Sequence, residues 1–251
     1  DDLSMGKIDN IPNGTTFIKF DLADASNIKK IPKDIDIILH IAGQSSGEIS
    51  FENPVADLHK NTISLLNLID FSIKNSVEKM VYASSMSVYG DVPDLPIDEN
   101  YIPKPISCYG VGKLASERYL KIFSSKLNSI CLRMFNVYGP GQDMLNMKQG
   151  MLSIYISQAV KNRKVLIKGS MNRFRDFVHI DDVVEAWVRV VENENIINKT
   201  YNIASGKRTT VNEVIDNISN YFDNLIIKEI DGTPGDQNGI YADISLIKKD
   251  L

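Results

Sequence analysis

Short β-branched runs alternate along the chain with longer stretches whose apolar residues recur at helical spacing. Thr15 to Phe20 predicts a strand, and Ile35 to Ile41, nearly all apolar, predicts a second. A helix is expected behind Asn53-Pro54, because Val55, Leu58, Thr62, Leu65, Ile69 and Ile73 share one face at three- and four-residue steps. Lys79 to Ser84 reads as a buried strand, Tyr109 to Leu127 as a helix, and Asn128 to Phe135 as the next strand. Strands apolar on both faces and separated by helices predict a parallel sheet covered on both sides. The class is α/β.

After Val137 the texture changes. Residues 138–150 read as a loop, with glycines and a proline. Leu152, Tyr155, Ile156, Ala159 and Val160 then mark a helix, and Lys164 to Lys168 a short strand. Val183, Val184, Trp187, Val188 and Val191 mark a further helix. Tyr201 to Ala204, a helix from Val211, and Leu225 to Ile230 continue the mixed pattern. These pieces predict a smaller lobe against the sheet, with a cleft at the C-terminal ends of the strands. No internal repeat, low-complexity tract or long linker interrupts the pattern.

Composition narrows the function. The 251 residues suit one large domain, or one domain with a small appendage, and can bury a full core. Lys and Arg total 28 against 32 Asp and Glu, a net charge of −4, which argues against nucleic acid or anionic membrane as partner. Any bound anion must be held by a few placed cations and backbone amides. No apolar stretch approaches the roughly 18 residues that span a bilayer. Asp1 to Asp9 has neither the basic nor the apolar region of a signal peptide. Cys108 and Cys131 lack metal spacing and read as free thiols, so a cytoplasmic location is expected. The sequons at Asn13 and Asn198 then read as chance matches. No His, Cys and carboxylate cluster suggests a metal.

Two segments carry candidate chemistry. Val81-Tyr-Ala-Ser-Ser-Met-Ser-Val-Tyr-Gly90 takes a strand out into a serine-rich loop, and Tyr109-Gly-Val-Gly-Lys113 spaces a phenol and an ammonium four apart. That spacing puts both on one helix face. An ammonium near a phenol favours the phenolate, so the Tyr109 pKa is expected to fall from about 10 toward the working range. A phenol so tuned can take an alcohol proton as hydride leaves the same carbon, while a strand-end serine holds the oxygen. Taken singly, the pair also fits an ordinary surface pair, and the serines fit caps and turns.

Other segments stand with these in a fixed order. They are Asp1-Asp-Leu-Ser4, Phe20-Asp-Leu-Ala-Asp24, His40-Ile-Ala-Gly43 and Asn61, then Arg133-Met-Phe-Asn-Val-Tyr-Gly-Pro140, Arg175-Asp-Phe-Val-His-Ile-Asp-Asp-Val183 and Pro234-Gly-Asp236. Together with Ser85, Tyr109 and Lys113 they resemble the extended short-chain dehydrogenase/reductase family, in its NAD-dependent sugar-nucleotide epimerase and dehydratase branch (UDP-glucose 4-epimerase-like). The resemblance implies a Rossmann-type doubly wound parallel sheet over residues 1–140, with its first βα unit missing. It implies a smaller mixed α/β substrate lobe over 141–251 with returning sheet elements.

The same resemblance implies NAD as cofactor, contacted by Asp1, Asp21, Leu22, Ile41, Ala42, Gly43, Ser45, Asn61, Tyr109, Lys113 and Phe135. Catalysis would fall to Ser85, Tyr109 and Lys113. A nucleotide-sugar substrate would meet Ser85, Asn136, Arg175 and Asp236. The implied reaction is epimerisation at C4 through a transient 4-keto sugar. In it Tyr109 takes the hydroxyl proton, Ser85 holds that oxygen, and Lys113 holds the nicotinamide ribose. A homodimer through the helices after Asn53 and Tyr109 is expected by analogy with relatives.

Departures from the pattern sharpen this. Dehydratases of the family resemble one another in acidic residues after the catalytic hydroxyl, where this chain has Met86 and Ser87, so epimerisation or ketone reduction is preferred. Thr233 stands where many members carry a diphosphate-gripping Arg; Arg175 remains, and Arg173 is either a second grip or a solvated charge. The glycine fingerprint that opens a dinucleotide fold is absent, and Ile244 to Leu251 stops inside a helical pattern. The chain is therefore expected to be a fragment that binds NAD weakly and turns over little. His40 and His179 are expected to be structural, Trp187 a core residue, and Cys108 a filler beside Tyr109. Two alternatives remain open. One is an NAD(P)H-dependent nucleotide-sugar ketoreductase; the other is a non-catalytic NAD-binding module, against which the intact Tyr109 and Lys113 speak.

Overall fold

The computed structural model describes residues 1–93, 95–232 and 237–251. Its first half contains β1 (Ile37–His40), α1 (Gly47–Glu52), α2 (Pro54–Leu58), a π-helical segment (His59–Ile63), α3 (Ser64–Lys74) and β2 (Lys79–Ser85). Next come α4 (Cys108–Ile122), β3 (Asn128–Met134), β4 (Asn136–Tyr138), α5 (Met151–Asn162) and β5 (Lys164–Lys168). Then follow β6 (Phe174–Arg175), β7 (Phe177–His179), α6 (Ile180–Glu192) and β8 (Thr200–Ile203). The last are β9 (Thr209–Thr210), α7 (Val211–Ser219), β10 (Ile226–Ile230) and α8 (Ser245–Asp250).

Strands β1, β2, β3 and β8 form a parallel sheet in that order. The alternation of side chains along β2 explains why Met80 to Ala83 lack a polar face. Met80 and Tyr82 face Leu65, Leu68 and Ile69 of α3 and Leu120 of α4. Val81 and Ala83 face the other way, into a cluster with Val183, Trp187 and Val190 of α6. Each Val, Leu, Ile or Met among them contributes about 1.5–3 kcal/mol when taken fully out of water. The sheet is thus covered on both faces, as a doubly wound Rossmann-type arrangement requires.

A separate apolar cluster joins Tyr155 and Ala159 of α5, Val165 and Ile167 of β5, and Val211 and Ile215 of α7. Beside it β5 and β10 pair in parallel. The start of α7 carries a Thr-x-x-Glu pattern: Thr210 caps the Glu213 amide, and the Glu213 carboxylate accepts from the Thr210 amide. Asp176, fully buried between β6 and β7, ties distant segments together. Its carboxylate accepts from the Ser205 amide and hydroxyl (2.7 and 2.6 Å), the Gly206 amide (2.9 Å) and the Ala242 amide (3.2 Å).

Several elements differ from expectation. Thr15 to Phe20 forms no strand; the Phe20 amide donates once, to the Asp1 carbonyl at 3.1 Å, where a strand needs a ladder. The helix behind Asn53 is preceded by α1, capped by Ser46, and interrupted by the π-helical segment. Helix α4 ends five residues before Leu127, at the Ser124-Ser125 turn. The short parallel pair β4–β7 joins two segments that the sequence pattern assigns to no strand. Trp187 packs in the core, and His179 caps α6 by accepting from the Asp181 amide.

Candidate active site

The C-terminal ends of β1, β2 and β3 open onto the site, where Gly43, Ser85 and Phe135 follow one another across the sheet. Helix α4 starts there because Ser107 caps the Gly110 amide at 3.0 Å. Gly110 also lets the helix approach the β2 exit: a Cβ at that position would lie 2.4 Å from the Ser87 carbonyl oxygen. This closeness sets the Ser85 hydroxyl, which donates to the Ser87 hydroxyl at 3.2 Å, near enough to Tyr109 to draw the phenol's pKa down. Ser85, Tyr109 and Lys113 are all buried.

The charge states differ from those expected of the bare spacing. Burial pushes the Tyr109 phenol up to about 12; the nearby Ser85 hydroxyl opposes that rise and the Asp57 charge adds to it. The expected fall does not occur because the Lys113 ammonium donates to the Ala83 carbonyl at 2.9 Å and lies 5.5 Å from the Tyr109 ring centroid. Burial pulls Lys113 itself down to about 8, while Asp57 and Glu117 pull it upward.

Three cavities adjoin at Ser45 and Gln149. One of about 320 Å³ is lined by Asp1, Asp21, Leu22, Ala42, Gly43 and Ser45. A cleft of about 750 Å³ holds Ile41, Ser85, Tyr109, Phe135 and Asn136. The third, about 580 Å³, holds Asn136, Lys168, Arg173 and Arg175. Asn61 and Lys113 lie beneath Gly43, where a Cβ would stand 2.6 Å from Asn61 Oδ1 and 3.7 Å from Lys113 Nζ. Asp236 and Thr233 lie outside the described residues.

Arg173 is not a solvated charge. It is 7% exposed, and its guanidinium donates to the carbonyls of Lys168 and Ser170. Arg175 is 2% exposed and donates to the Gln237 carbonyl at 2.7 Å; burial, helped by Arg173, pulls it down to about 10, so it stays cationic at neutral pH. Sequence reasoning missed Lys168, which pairs with Glu48 across the cavity at 2.8 Å. It also missed Asp57 and Gln44. Asp57 stands four residues before Asn61 in a helical pattern, a spacing that could have signalled their contact.

His40 is buried, stacks on Tyr82 at 5.7 Å, and has no partner for Nε2 among the described residues. Burial, with the Lys113 charge, pulls its imidazole down to about 3. A group depressed in the folded state stabilises above its unfolded pKa and loses that contribution as pH falls. Below about pH 6.5, His40 is expected to cost about 1.4 kcal/mol per pH unit, down toward pH 3. Denaturant titration of His40→Phe from pH 7 to 4 should show a correspondingly flatter loss of stability than the parent protein.

The lining fits a dinucleotide. An unpartnered buried acceptor, Asn61 Oδ1, and a buried ammonium converge under a glycine that leaves backbone exposed to a ligand, and a carboxylate, Asp21, lines the same cavity. A model of the NAD dependent epimerase/dehydratase family matches residues 3–204. A Methanocaldococcus jannaschii protein, provisionally named a UDP-glucose 4-epimerase, is 36% identical over 220 residues, 86% of this chain and 71% of that protein. The Thermus thermophilus UDP-glucose 4-epimerase, solved in complex with NAD, matches with TM-score 0.92 at 29% identity, over 100% of this chain and 83% of that one. The UDP-N-acetylglucosamine 4-epimerase of Methanobrevibacter ruminantium, solved with UDP-N-acetylmuramic acid, matches with TM-score 0.92 at 33% identity, over 99% and 82% of the two chains. With motifs, sheet and site geometry in agreement, the chain belongs to the NAD-dependent epimerase/dehydratase family, and its cofactor is NAD.

Proposed function

We propose that the protein epimerises a nucleotide sugar at C4 through a transient 4-keto sugar. The observation that carries this reading is that Ser85 and Tyr109 line a cleft that meets both the cavity lined by Gly43 and the cation-lined cavity at Ser45 and Gln149. NAD held near Gly43, Asn61 and Lys113 would supply reversible hydride transfer at the sugar carbon. The protein's part is orientation and proton transfer. Tyr109 takes the C4 hydroxyl proton and later gives one back, and Ser85 holds the same oxygen. Lys113 faces the cofactor side with Asn61. Arg175, Arg173 and Lys168 supply the positive charge that a diphosphate needs in a chain of net charge −4.

Met86 and Ser87 line the substrate cavity directly after Ser85. Neither can protonate a leaving hydroxyl as a carboxylic acid would, which favours epimerisation over dehydration. In this reading residues 1–140 carry the cofactor and 141–251 mainly the sugar nucleotide. Free Cys108 and Cys131 agree with a cytoplasmic enzyme, and the exposed apolar Leu58 and Val111 on α2 and α4 suit a homodimer contact.

Incubating the full-length protein with a panel of nucleotide sugars, with products read by NMR, tests the proposal. The expected outcome is an equilibrium mixture of one sugar and its 4-epimer, with no net change in nicotinamide absorbance. Stoichiometric oxidation of a reduced nicotinamide would establish the ketoreductase reading instead, and loss of water a dehydratase.

A further inference from the structure

Asp57 belongs to none of the motifs that point to the site, yet its surroundings are those of a functional carboxylate. It is 2% exposed on α2, and its Oδ1 accepts from Gln44 Nε2 at 2.7 Å and from Asn61 Nδ2 at 3.0 Å. An ionised carboxylate can only accept, so it fixes which way the Asn61 amide points. The amide NH₂ turns to Asp57 and Oδ1 turns away. That oxygen is buried and has no partner among the described residues, and it is the atom nearest to the face of Gly43. An unsatisfied buried acceptor is unfavourable until a donor arrives.

The other carboxylate oxygen faces α4. At Gly112 a Cβ would lie 3.6 Å from Asp57 Oδ2, an ordinary contact distance, so the helix runs beside the carboxylate one residue before Lys113. The groups around Lys113 can be taken element by element. From β1 comes His40, which burial keeps neutral. From β2 come the Tyr82 ring at 4.9 Å and the Ala83 carbonyl at 2.9 Å. Its own helix brings Tyr109 and Glu117, and Glu117 is already held by the Arg133 guanidinium from β3 through two bonds, at 2.9 and 2.7 Å. Among the described residues no cation is bonded to Asp57. It is therefore the carboxylate left to balance Lys113.

We infer that Asp57 is a positioning residue for the cofactor, acting through two neighbours. It aims the Asn61 oxygen at a hydroxyl or amide donor of the dinucleotide, and it supplies the counter-charge that keeps Lys113 an ammonium. Asp57 and Glu117 both hold the Lys113 pKa up against burial, and Asp57's own carboxyl is lifted by burial and drawn back by Gln44, Asn61 and Lys113. The inference rests on the assignment of this cavity to NAD.

The test is NAD binding by calorimetry on the full-length protein at pH 7 and pH 9, which requires no turnover. Asp57→Asn removes the charge with little change of volume. It is expected to weaken NAD about tenfold at pH 7, and to lose at least threefold more affinity than the parent between pH 7 and 9, because Lys113 sheds its proton earlier. Asp57→Glu keeps the charge but displaces its oxygens; weaker binding with the parent's pH dependence is expected. It also tests the charge effect should the Asn variant fail to fold. Affinity and pH dependence of Asp57→Asn equal to the parent's would overturn the inference, as would equal steepening in Asp57→Glu. A lowered Tm with unshifted pH dependence would reduce Asp57 to a structural role and overturn it too. Failure of the parent protein itself to bind NAD would defeat the cofactor assignment instead.

Discussion

Tyr109→Phe is expected to lower kcat by about 10³-fold, within the 10²–10⁴ range of a lost general acid–base group, while NAD affinity stays within about threefold. The substitution removes one oxygen from a buried side chain and leaves the ring that packs beside Lys113. Lys113 keeps its place because its hydrogen bond goes to the Ala83 carbonyl rather than to the phenol. The pH profile supplies a second readout. With the phenol pushed up to about 12, its ionised fraction grows with pH across the neutral range, so kcat of the parent enzyme should climb there. The Phe variant's residual rate should be flat. Undiminished turnover in the Phe variant would remove Tyr109 from the proposed chemistry.

Arg133→Met is expected to be the most destabilising of simple substitutions near the site. Arg133 and Glu117 are both buried, and their bidentate pair is extended by the Ser84 hydroxyl, which donates to Glu117 at 2.5 Å. The guanidinium also donates to the Tyr89 hydroxyl at 2.9 Å, which in turn donates to the Asn202 amide oxygen at 2.6 Å. Removing the cation strands the Glu117 charge in the interior, at a cost of about 3–5 kcal/mol. That corresponds to a fall in Tm of roughly 6–20 °C for a chain of this size. The double variant Arg133→Met with Glu117→Leu should recover much of the loss, since a buried pair replaced by apolar groups is often neutral. Thermal denaturation of both variants decides it: a single variant within about 1 kcal/mol of the parent would show that the pair is not desolvated as described. Because Ser84 precedes Ser85, the single variant should also slow turnover.

Much of the architecture could be read from the sequence. Strand β2 is legible within one residue, because a strand buried on both faces shows consecutive apolar positions, here Met80 to Ala83. Strand β5 was found over its full length, and the start of α7 was placed at Val211, where the capping box puts it. Thr15 to Phe20 has the composition of a strand but meets no ladder partner among the described residues, which composition cannot report. The pair β4–β7 is set by its mutual register between short segments far apart in sequence, so no local pattern announces it.

At the site, the motifs named Ser85, Tyr109 and Lys113, and the chain's spacing alone placed the latter two on one turn of α4. Both residue types and periodicity are local properties, and the sequence by itself determined them. The charge states were decided only by the tertiary structure. Tyr109 rises rather than falls, because desolvation outweighs a nearby ammonium that is bonded elsewhere. Arg173 lies in the interior, beside Arg175, because the backbone around Lys168 and Ser170 folds over it. Asp57 gains its place through hydrogen bonds from Gln44 and Asn61 and its position beside Gly112 of α4, groups drawn from three segments. Burial and distance are properties of the packed chain. They set how an ionisable side chain behaves, whereas the sequence sets only which side chain is there.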